Sequence, residues 1–291
     1  MFKGLYTALA TPFSKGKIDY DAYEKHIERQ IEGGVDGVVP MGTTGESPTI
    51  SFDEHSEFIK KTVSFVNGRV KVIAGTGANS TEEAIWLSRK AEDAGVDGVM
   101  QVNPYYNKPT QAGLVAHFEH VAKSVKIPVM LYNIPGRTGV NFLPESVKEL
   151  LDRTENILAM KEASGDITQM MRLYELCGDR INILSGDDNM LLPLLSIGGH
   201  GIVSVLSNIV PGEVKSVIDA FNRNSLDEAR EKFYSLLPLS RVMFIETNPI
   251  PIKEAMGILG YCSPELRLPM TRMNPSNRER LESVLRECKL I

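Results

Sequence analysis

Lys161 has the clearest capacity for chemistry in this chain, because it follows a run of apolar residues. The segment 157–164 reads Ile-Leu-Ala-Met-Lys-Glu-Ala-Ser, which is typical of a buried strand that carries one ammonium group. Burial disfavours the charged form of an amine and lowers its pKa towards neutrality. A neutral lysine amine is a nucleophile that condenses with carbonyl compounds to form a Schiff base. The alternative is a strand-end lysine whose ammonium reaches solvent, as most lysines do.

Other polar groups follow segments that we predict to be strands. Thr43 and Thr44 lie in Gly-Thr-Thr-Gly-Glu, where amides and hydroxyls can hold a small carboxylate, although a tight turn looks similar. Tyr132 can pass a proton to and from a substrate oxygen with a threonine hydroxyl as relay, although a strand-end tyrosine often only packs. Arg137, in Pro-Gly-Arg-Thr-Gly, either clamps a carboxylate or lies solvated in an exposed loop.

The remaining candidate acids and ligands are less suited to catalysis. Glu162 follows Lys161 directly, so strand alternation turns it to the opposite face of the strand, and we leave it and Glu46 out of the catalytic set. The five histidines show no metal-ligand spacing, and we expect His117 and His120 on a helix surface. No metal site is predicted.

Strand-like and helix-like segments alternate along most of the chain, at intervals of roughly 20 to 35 residues. We predict eight strands at 5–12, 35–41, 70–74, 96–102, 128–132, around 161, 182–184 and 201–206, with helices that include 20–32, 53–66, 111–125 and 211–222. This pattern favours an α/β fold of the (β/α)8 TIM barrel type. A doubly wound open sheet is the competitor, but no glycine-rich dinucleotide fingerprint follows the first strand.

In such a barrel the carboxyl ends of all strands meet at one face, where the chemistry lies. The side chains that follow the predicted strands should therefore gather there: Thr43, Thr44, Tyr105, Tyr106, Tyr132, Arg137, Lys161 and Gly186. We assign residues 1–224 to the barrel and residues 225–291 to a C-terminal helical extension, with helices at 226–242, 252–259 and 278–288.

Composition limits the partners and the compartment. The formal charge is -5 and no basic block stands out, which argues against binding to nucleic acid or an anionic membrane. No apolar stretch approaches the roughly 18 residues of a membrane helix, and the N-terminus lacks the apolar core of a signal peptide. The three cysteines form no CxxC pair, so we expect a cytoplasmic protein without disulfides.

Three separated motifs resemble those of a known family. They are Gly-Thr-Thr-Gly-Glu-Ser at 42–47, Tyr-Asn-Ile-Pro-Gly-Arg-Thr-Gly at 132–139 and Lys-Glu-Ala-Ser at 161–164. In this order, at these strand ends, they are similar to the pyruvate-dependent class I aldolase barrels and, among them, to the dihydrodipicolinate synthase family. The resemblance runs from Phe2 to the C-terminus and includes Glu-Thr-Asn-Pro-Ile-Pro-Ile-Lys at 246–253.

The resemblance implies a synthase that joins pyruvate to L-aspartate 4-semialdehyde and gives 4-hydroxy-tetrahydrodipicolinate, in the first committed step of lysine and diaminopimelate biosynthesis. Lys161 matches the Schiff-base lysine, so no external cofactor is expected. Thr43, Tyr132 and Tyr106 match the proton relay, in which Tyr106 reaches in from a neighbouring subunit. Arg137 matches the residue that holds the carboxylate of the second substrate.

Further matches concern the pyruvate pocket, regulation and assembly. Thr44, Gly186 and Val203 match positions that line the pyruvate pocket. Lysine is implied as a feedback inhibitor, although Phe52 stands where well-known lysine-sensitive members carry a histidine. The positions that match the allosteric site are Ser47, Pro48, Phe52, His55, Asn79, Glu83 and Tyr105. The resemblance also implies a homotetramer built from two tight dimers.

Two other functions stay open at this point. One is another pyruvate-dependent aldolase, such as a sialic-acid or sugar-acid lyase, which would share the lysine and the tyrosine. Arg137 and the double tyrosine at 105–106 argue against it, because a polyol substrate needs hydroxyl contacts instead. The other is a non-catalytic barrel that acts as a binding protein, but such a chain would be expected to have lost Lys161 or Tyr132.

Overall fold

A computed structural model describes residues 2–291, and its centre is a closed barrel of eight parallel strands. The strands in chain order are β1 (Gly4–Ala8), β2 (Phe13–Ser14), β3 (Lys17–Ile18), β4 (Gly37–Val39), β5 (Lys71–Gly75), β6 (Gly98–Val102), β7 (Val129–Asn133), β8 (Ile157–Glu162), β9 (Asn182–Ser185) and β10 (Gly201–Ser204). β2 and β3 form a separate antiparallel hairpin, and β1 closes the barrel by pairing with both β10 and β4. The predicted (β/α)8 barrel is confirmed.

Helices surround the barrel and continue beyond it. They are α1 (Tyr20–Glu32), α2 (Phe52–Val66), α3 (Thr81–Asp93), α4 (Gln111–Ser124), α5 (Pro135–Thr138), α6 (Pro144–Leu151), α7 (Ile167–Cys177), α8 (Leu191–Ser196), α9 (Pro211–Asn222), α10 (Leu226–Val242), α11 (Ile250–Ile258) and α12 (Pro275–Glu287). None of the helices described for residues 2–291 is both long and apolar enough to cross a membrane.

Local sequence explains where the first helices begin. The Asp19 side chain accepts from the N–H of Ala22 and so caps α1. Ser51 and Glu54 form a reciprocal capping box at the start of α2. The buried residues of α1, among them Tyr23 and Ile27, recur at helical spacing and face the barrel.

Two apolar layers hold the fold together. One fills the barrel interior and includes Tyr6, Met100, Tyr132, Leu184 and Val203. The other lies between the strands and the helices and takes in residues from every part of the chain. Since side chains alternate along a strand, each strand contributes to both layers.

The C-terminal helices pack on this second layer. Leu236 of α10, Ile252 of α11 and Leu281 of α12 are buried in the same cluster as the barrel residues. The fully buried Lys253 pairs with Glu46 at 3.0 Å, so the extension is also tied to the loop after β4. The division of the chain at residue 225 stays a prediction.

Some local predictions were wrong or incomplete. The segment around Arg137 was expected as a loop, but Pro135–Thr138 forms a short helix, because proline favours the first position of a helix. His117 was expected on a helix surface, but it is buried and its Nδ1 lies 2.8 Å from Thr81 Oγ1. His120 is exposed, as expected.

Candidate active site

Lys161 lies on the interior face of β8, between Ala159 and Ala163, and is only 4% exposed. Burial lowers the pKa of its amine to about 8, an effect that the charge of Arg137 increases. The carboxylates of Asp187 and Asp188 act in the opposite direction. An amine with this pKa is half neutral at about pH 8, and its neutral form can act as a nucleophile.

Tyr132 stands beside Lys161 on the neighbouring strand. The two residues are register partners in β7 and β8, and Lys161 Nζ lies 4.1 Å from the centroid of the tyrosine ring. Burial raises the pKa of Tyr132, and Thr43 makes a side-chain hydrogen bond to its phenol. A phenol that stays protonated can donate a proton and recover one through the threonine hydroxyl.

Thr44 and Arg137 are connected by a residue from the C-terminal extension. Asn248 Nδ2 donates to Thr44 Oγ1 at 3.0 Å, and the Asn248 carbonyl accepts from Arg137 Nη2 at 2.7 Å. Within residues 2–291, Asn248 Oδ1 is buried without a hydrogen-bond partner. The Arg137 side chain is exposed, so its guanidinium is available to an incoming carboxylate.

Gly186 and Val203 line the same end of the barrel interior. A Cβ added at Gly186 would lie 2.5 Å from Ala163 Cβ and 3.0 Å from Lys161 Cε, so only glycine fits beside the lysine. Val203 is buried in the interior cluster with Tyr132.

Two aspartates after β9 complete the surroundings of the amine. Burial raises the pKa of Asp187, and the charge of Lys161 opposes that effect. Asp188 accepts from Ser204 Oγ at 2.5 Å and from the backbone N–H groups of Val205 and Leu206 at 3.1 Å. It therefore joins the loops after β9 and β10 behind Lys161.

Tyr106 does not lie in this pocket. Its side chain is 91% exposed and its φ is 74°, a left-handed conformation that is uncommon outside glycine. The neighbouring Tyr105 is half-buried, and its carbonyl accepts from Asn79 Nδ2 at 3.2 Å. The loop after β6 thus presents Tyr106 to the surroundings.

A cavity of about 430 Å³ lies next to the candidate active site. Its lining includes Ser47, Phe52, His55, Glu83 and Tyr105. A small cavity of about 30 Å³ shares the Ser47, Gly75 and Gly77 walls with it and also borders Thr43 and Tyr132. Most of the predicted allosteric positions therefore line one cavity that adjoins the Tyr132–Thr43 pair.

Two acids that we left out of catalysis have other partners. Glu46 accepts from Lys253 Nζ at 3.0 Å and from the backbone N–H of Arg267 at 3.0 Å. Glu162 is fully buried on the outer face of β8. Among residues 2–291, no group of three or more His, Cys, Asp or Glu residues is arranged to hold a metal ion.

Sequence reasoning missed Asn248 and did not use Asp187 or Asp188. Asn248 lies in the quoted segment 246–253, but its contacts span 111 and 204 residues, which no local pattern reveals. The pair Asp187-Asp188 directly follows Gly186, so its place at a strand end was the available signal.

Comparison with known proteins places this geometry in a family. A 4-hydroxy-tetrahydrodipicolinate synthase from Endomicrobium trichonymphae is 53% identical over 291 residues, which is 100% of both chains. A crystal structure of the chloride inhibited dihydrodipicolinate synthase from Acinetobacter baumannii complexed with pyruvate is 37% identical, covers 100% of both chains and has a TM-score of 0.97. A crystal structure of the enzyme from Cyanidioschyzon merolae with lysine bound is 40% identical, covers 100% of this chain and 99% of that one, and has a TM-score of 0.97.

The same family is found at the level of the whole sequence. A model of the Dihydrodipicolinate synthetase family matches residues 1–288. The matched range includes both Lys161 of the barrel and Asn248 of the C-terminal extension, so both parts of the chain match the same family. The chain belongs to the Dihydrodipicolinate synthetase family.

Proposed function

We propose that this chain is a lyase that condenses pyruvate with L-aspartate 4-semialdehyde to give 4-hydroxy-tetrahydrodipicolinate, the first committed step of lysine and diaminopimelate biosynthesis. The observation that carries the proposal is the buried Lys161 amine, whose pKa is lowered to about 8, beside the Tyr132 phenol. The name shared by the curated relatives supports the same reaction.

The chemistry begins with attack of the Lys161 amine on the ketone of pyruvate. Loss of water gives an iminium, which is the electron sink for removal of a methyl proton. The resulting enamine carbon attacks the aldehyde of the second substrate, whose oxygen takes up a proton. The substrate amine then displaces Lys161 as the ring closes, so the amine is regenerated. The covalent iminium supplies the electron sink, and no metal or organic cofactor enters this sequence.

Proton transfer is assigned to Tyr132 and Thr43. Formation of the iminium needs a donor to the departing hydroxyl and an acceptor afterwards. The Tyr132 phenol, hydrogen-bonded to Thr43, is placed for both steps. Its raised pKa keeps the phenol protonated at the start of each cycle.

Substrate binding is assigned to the groups around Lys161. Thr44, Gly186 and Val203 hold pyruvate at the end of the barrel, where glycine leaves room beside the lysine. Arg137 holds the carboxylate of L-aspartate 4-semialdehyde, since a guanidinium matches a carboxylate in bidentate geometry.

Tyr106 is assigned to the active site of a second copy of the chain. Its exposure and the strained backbone at this position suit a side chain that completes a neighbouring site. We propose a homotetramer built from two tight dimers, with Tyr106 crossing the interface inside each dimer. The three unpaired thiols suit a reducing compartment, so we place the enzyme in the cytoplasm.

The cavity beside the active site is assigned to lysine as a feedback inhibitor. Glu83 offers a carboxylate to an ammonium group, and the His55 ring lines the cavity with its Nε2 held 2.9 Å from the Gly75 carbonyl. Phe52, where well-known lysine-sensitive members carry a histidine, packs on Trp86 with ring centroids 5.3 Å apart. Asn79 supports the cavity wall through its hydrogen bond to the Tyr105 carbonyl.

Borohydride trapping tests this function. The protein is incubated with pyruvate, reduced with borohydride and digested, and mass spectrometry is expected to locate the reduced pyruvate adduct on Lys161. Lys253 is the internal control, because it is also buried but is paired with Glu46. If no adduct formed on Lys161, both the synthase and the competing aldolase functions would be rejected.

A substrate test separates the synthase from the lyases. L-Aspartate 4-semialdehyde is expected to turn over with pyruvate, whereas N-acetylneuraminate is expected not to be cleaved. Cleavage of the sugar acid without turnover of the semialdehyde would instead identify a sialic-acid type lyase. A chain that forms no adduct but binds pyruvate would be a non-catalytic barrel.

A further inference from the structure

Asn133 and Glu162 are paired on the outer face of the barrel, one residue beyond Tyr132 and Lys161. The register of β7 and β8 pairs Tyr132 with Lys161 and then Asn133 with Glu162. Since side chains alternate along a strand, the first pair points into the barrel and the second towards the helices. Both Asn133 and Glu162 are fully buried. The two groups assigned to the chemistry thus have a polar cross-strand pair directly behind them.

The Glu162 carboxylate is surrounded by hydrogen-bond donors. Asn133 Nδ2 lies 3.2 and 3.1 Å from its two oxygens. The backbone N–H of Ser164 donates to it at 2.7 Å, and Gln169 Nε2 donates at 3.3 Å. An ionised carboxylate offers acceptors only and therefore matches this arrangement, whereas a carboxamide would set its NH2 against at least one of these donors.

The orientation of the Asn133 amide is fixed by its other contacts. Its Oδ1 accepts from Asn103 Nδ2 at 2.8 Å and from the backbone N–H of Phe142 at 3.0 Å. Rotation of the amide by 180° would turn its NH2 towards the Phe142 N–H. Its Nδ2 must therefore face Glu162 and Asn141, the latter at 2.8 Å.

The same network runs across three consecutive strand ends. Asn103 directly follows β6, Asn133 ends β7 and Glu162 ends β8. Asn103 also precedes the loop that carries Tyr106. Asn103 Oδ1 is buried without a partner within residues 2–291, but the Asn133 amide and the Glu162 carboxylate are hydrogen-bonded through both of their polar atoms. A buried polar pair that is satisfied in this way is rigid and costly to disturb, so it resists small shifts of these two strand ends.

We propose that Glu162 is a positioning residue that, through Asn133, holds Lys161 and Tyr132 in the geometry required for Schiff-base formation. Glu162 touches no substrate, because it lies on the opposite face of β8. Its effect passes through the backbone of β7 and β8 and the fixed Asn133 amide. The proposal rests on the proposed function of the inner-face pair, and it gives a role to an acid that the mechanism leaves unused.

The variant Glu162→Gln is nearly isosteric and removes one acceptor. We expect kcat and the rate of pyruvate trapping to fall by about 10- to 100-fold, the range produced by a small misplacement of reacting groups. We expect the KM for pyruvate to change far less, since the groups assigned to pyruvate binding are untouched. The acid limb of the pH profile should move to higher pH, because a loosened Lys161 is less desolvated.

A double variant tests the contact itself. In Asn133→Asp alone, two buried carboxylates face each other, and we expect the largest loss of activity. In Asn133→Asp combined with Glu162→Gln, the new carboxylate at 133 can accept from the carboxamide at 162 and from the Phe142 N–H. We expect the double variant to be at least about tenfold more active than Asn133→Asp, because it restores a donor–acceptor pair.

If Glu162→Gln does not fold, a second variant tests the same contact, and a third variant serves as a control. Gln169→Met removes one donor to Glu162 from a half-buried position, and we expect a smaller change in the same direction. Glu254→Gln is the control, because Glu254 is also buried but contacts Arg272 and Arg278 away from the strand ends. It should lower the melting temperature without moving the pH profile.

The outcomes separate this inference from the proposed function. If the wild-type protein formed no pyruvate adduct, the proposed function would fail first. If the wild type formed the adduct but folded Glu162→Gln and Gln169→Met trapped pyruvate at the wild-type rate with an unchanged pH profile, Glu162 would be a structural residue only. The inference would also be overturned if the double variant were no more active than Asn133→Asp.

Discussion

Lys161 Nζ lies 4.1 Å from the centroid of the Tyr132 ring, and the two residues are paired across neighbouring strands. An aromatic face attracts an ammonium and so favours the charged amine, whereas burial favours the neutral one. Burial is the larger effect, and the pKa of Lys161 falls to about 8. The amine can therefore switch between both forms near neutral pH.

This pKa predicts how activity depends on pH. Because we assign the neutral amine as the nucleophile, we expect kcat/KM for pyruvate to rise with pH and to level off above about pH 8. The charged groups that act on Lys161 are Asp187, Asp188 and Arg137, and the Tyr132 phenol stays protonated across this range. A pH–rate profile measures the pH at which kcat/KM rises and levels off, which is the acid limb of the profile.

The variant Asp187→Asn is expected to shift the pH–rate profile in a defined direction. Asp187 raises the pKa of Lys161, so its neutralisation should lower that pKa and move the acid limb to lower pH. Asp227→Asn is the control, because this carboxylate of α10 is almost fully exposed. A limb that moved to higher pH in Asp187→Asn would contradict the assignment.

Lys161 is also predicted to destabilise the fold. Its amine has a pKa of about 8 when folded instead of the ordinary 10.5, so the unfolded chain binds more protons between these values. This loss of unfolding free energy amounts to about 3 kcal/mol and is fully present below about pH 8. It decreases as the pH rises and has disappeared above pH 10.5. Lys161→Met should therefore abolish trapping but raise the free energy of unfolding at pH 7. Denaturant titrations at pH 7 and above 10 measure this, and a gain of equal size at both pH values would argue against it.

Gly186 is predicted to be irreplaceable even by alanine. The added Cβ would lie 2.5 Å from Ala163 Cβ and 3.0 Å from Lys161 Cε, so the lysine must shift. We expect Gly186→Ala to lower kcat by at least about tenfold, as expected for misplaced reacting groups. Gly212→Ala is the control, because its Cβ would meet no atom closer than 4.0 Å. Wild-type rates in both variants would show that the site tolerates the methyl group.

Mixed dimers test the role of Tyr106 across the interface. Lys161→Met and Tyr106→Phe are each expected to be nearly inactive alone. If Tyr106 acts in the partner's site, a mixed dimer keeps one complete site, with Lys161 from one chain and Tyr106 from the other. Equal mixing should then restore about a quarter of the wild-type sites, since half of the dimers are mixed. Activity of the mixture equal to that of the separate variants would place Tyr106 in its own chain's site.

Lysine is expected to bind in the cavity lined by His55 and Glu83 and to reduce activity at fixed pyruvate. Glu83→Gln should weaken lysine binding by about tenfold while it leaves kcat without lysine unchanged, because a charged hydrogen bond is lost. Glu82→Gln is the control, since this neighbour on α3 is exposed. Calorimetry measures the affinity, and equal lysine binding by the two variants would remove Glu83 from the site.

Sequence periodicity predicted the elements that depend on local signals. The helices at 20–32, 211–222 and 226–242 have the predicted bounds, because their apolar spacing is regular and turn residues flank them. The hairpin of β2 and β3 was not predicted, since two-residue strands leave no periodic signal. Strand ends were misplaced by a few residues, as at β4, because flanking apolar residues continue the pattern beyond the ladder.

The position of the candidate site was predictable where residues end a strand or follow it directly. Lys161, Tyr132 and Thr43 lie close together as predicted, because the barrel gathers strand ends at one face, and their roles stay predictions. The burial of His117 was missed because it depends on the packing of α4 against α3. Asn248 was missed because its contacts join segments far apart in the chain.

The position of Asn248 has a consequence for how substrate preference can change. Its side chain donates to Thr44 and its carbonyl accepts from Arg137, so the segment before α11 sets the relative placement of two groups that we assign to substrate binding. Mutational libraries restricted to the eight barrel loops would leave Asn248 and its two hydrogen bonds unchanged. Recombining the C-terminal segments of related enzymes is therefore a separate way to alter which aldehyde is accepted while the lysine chemistry stays the same.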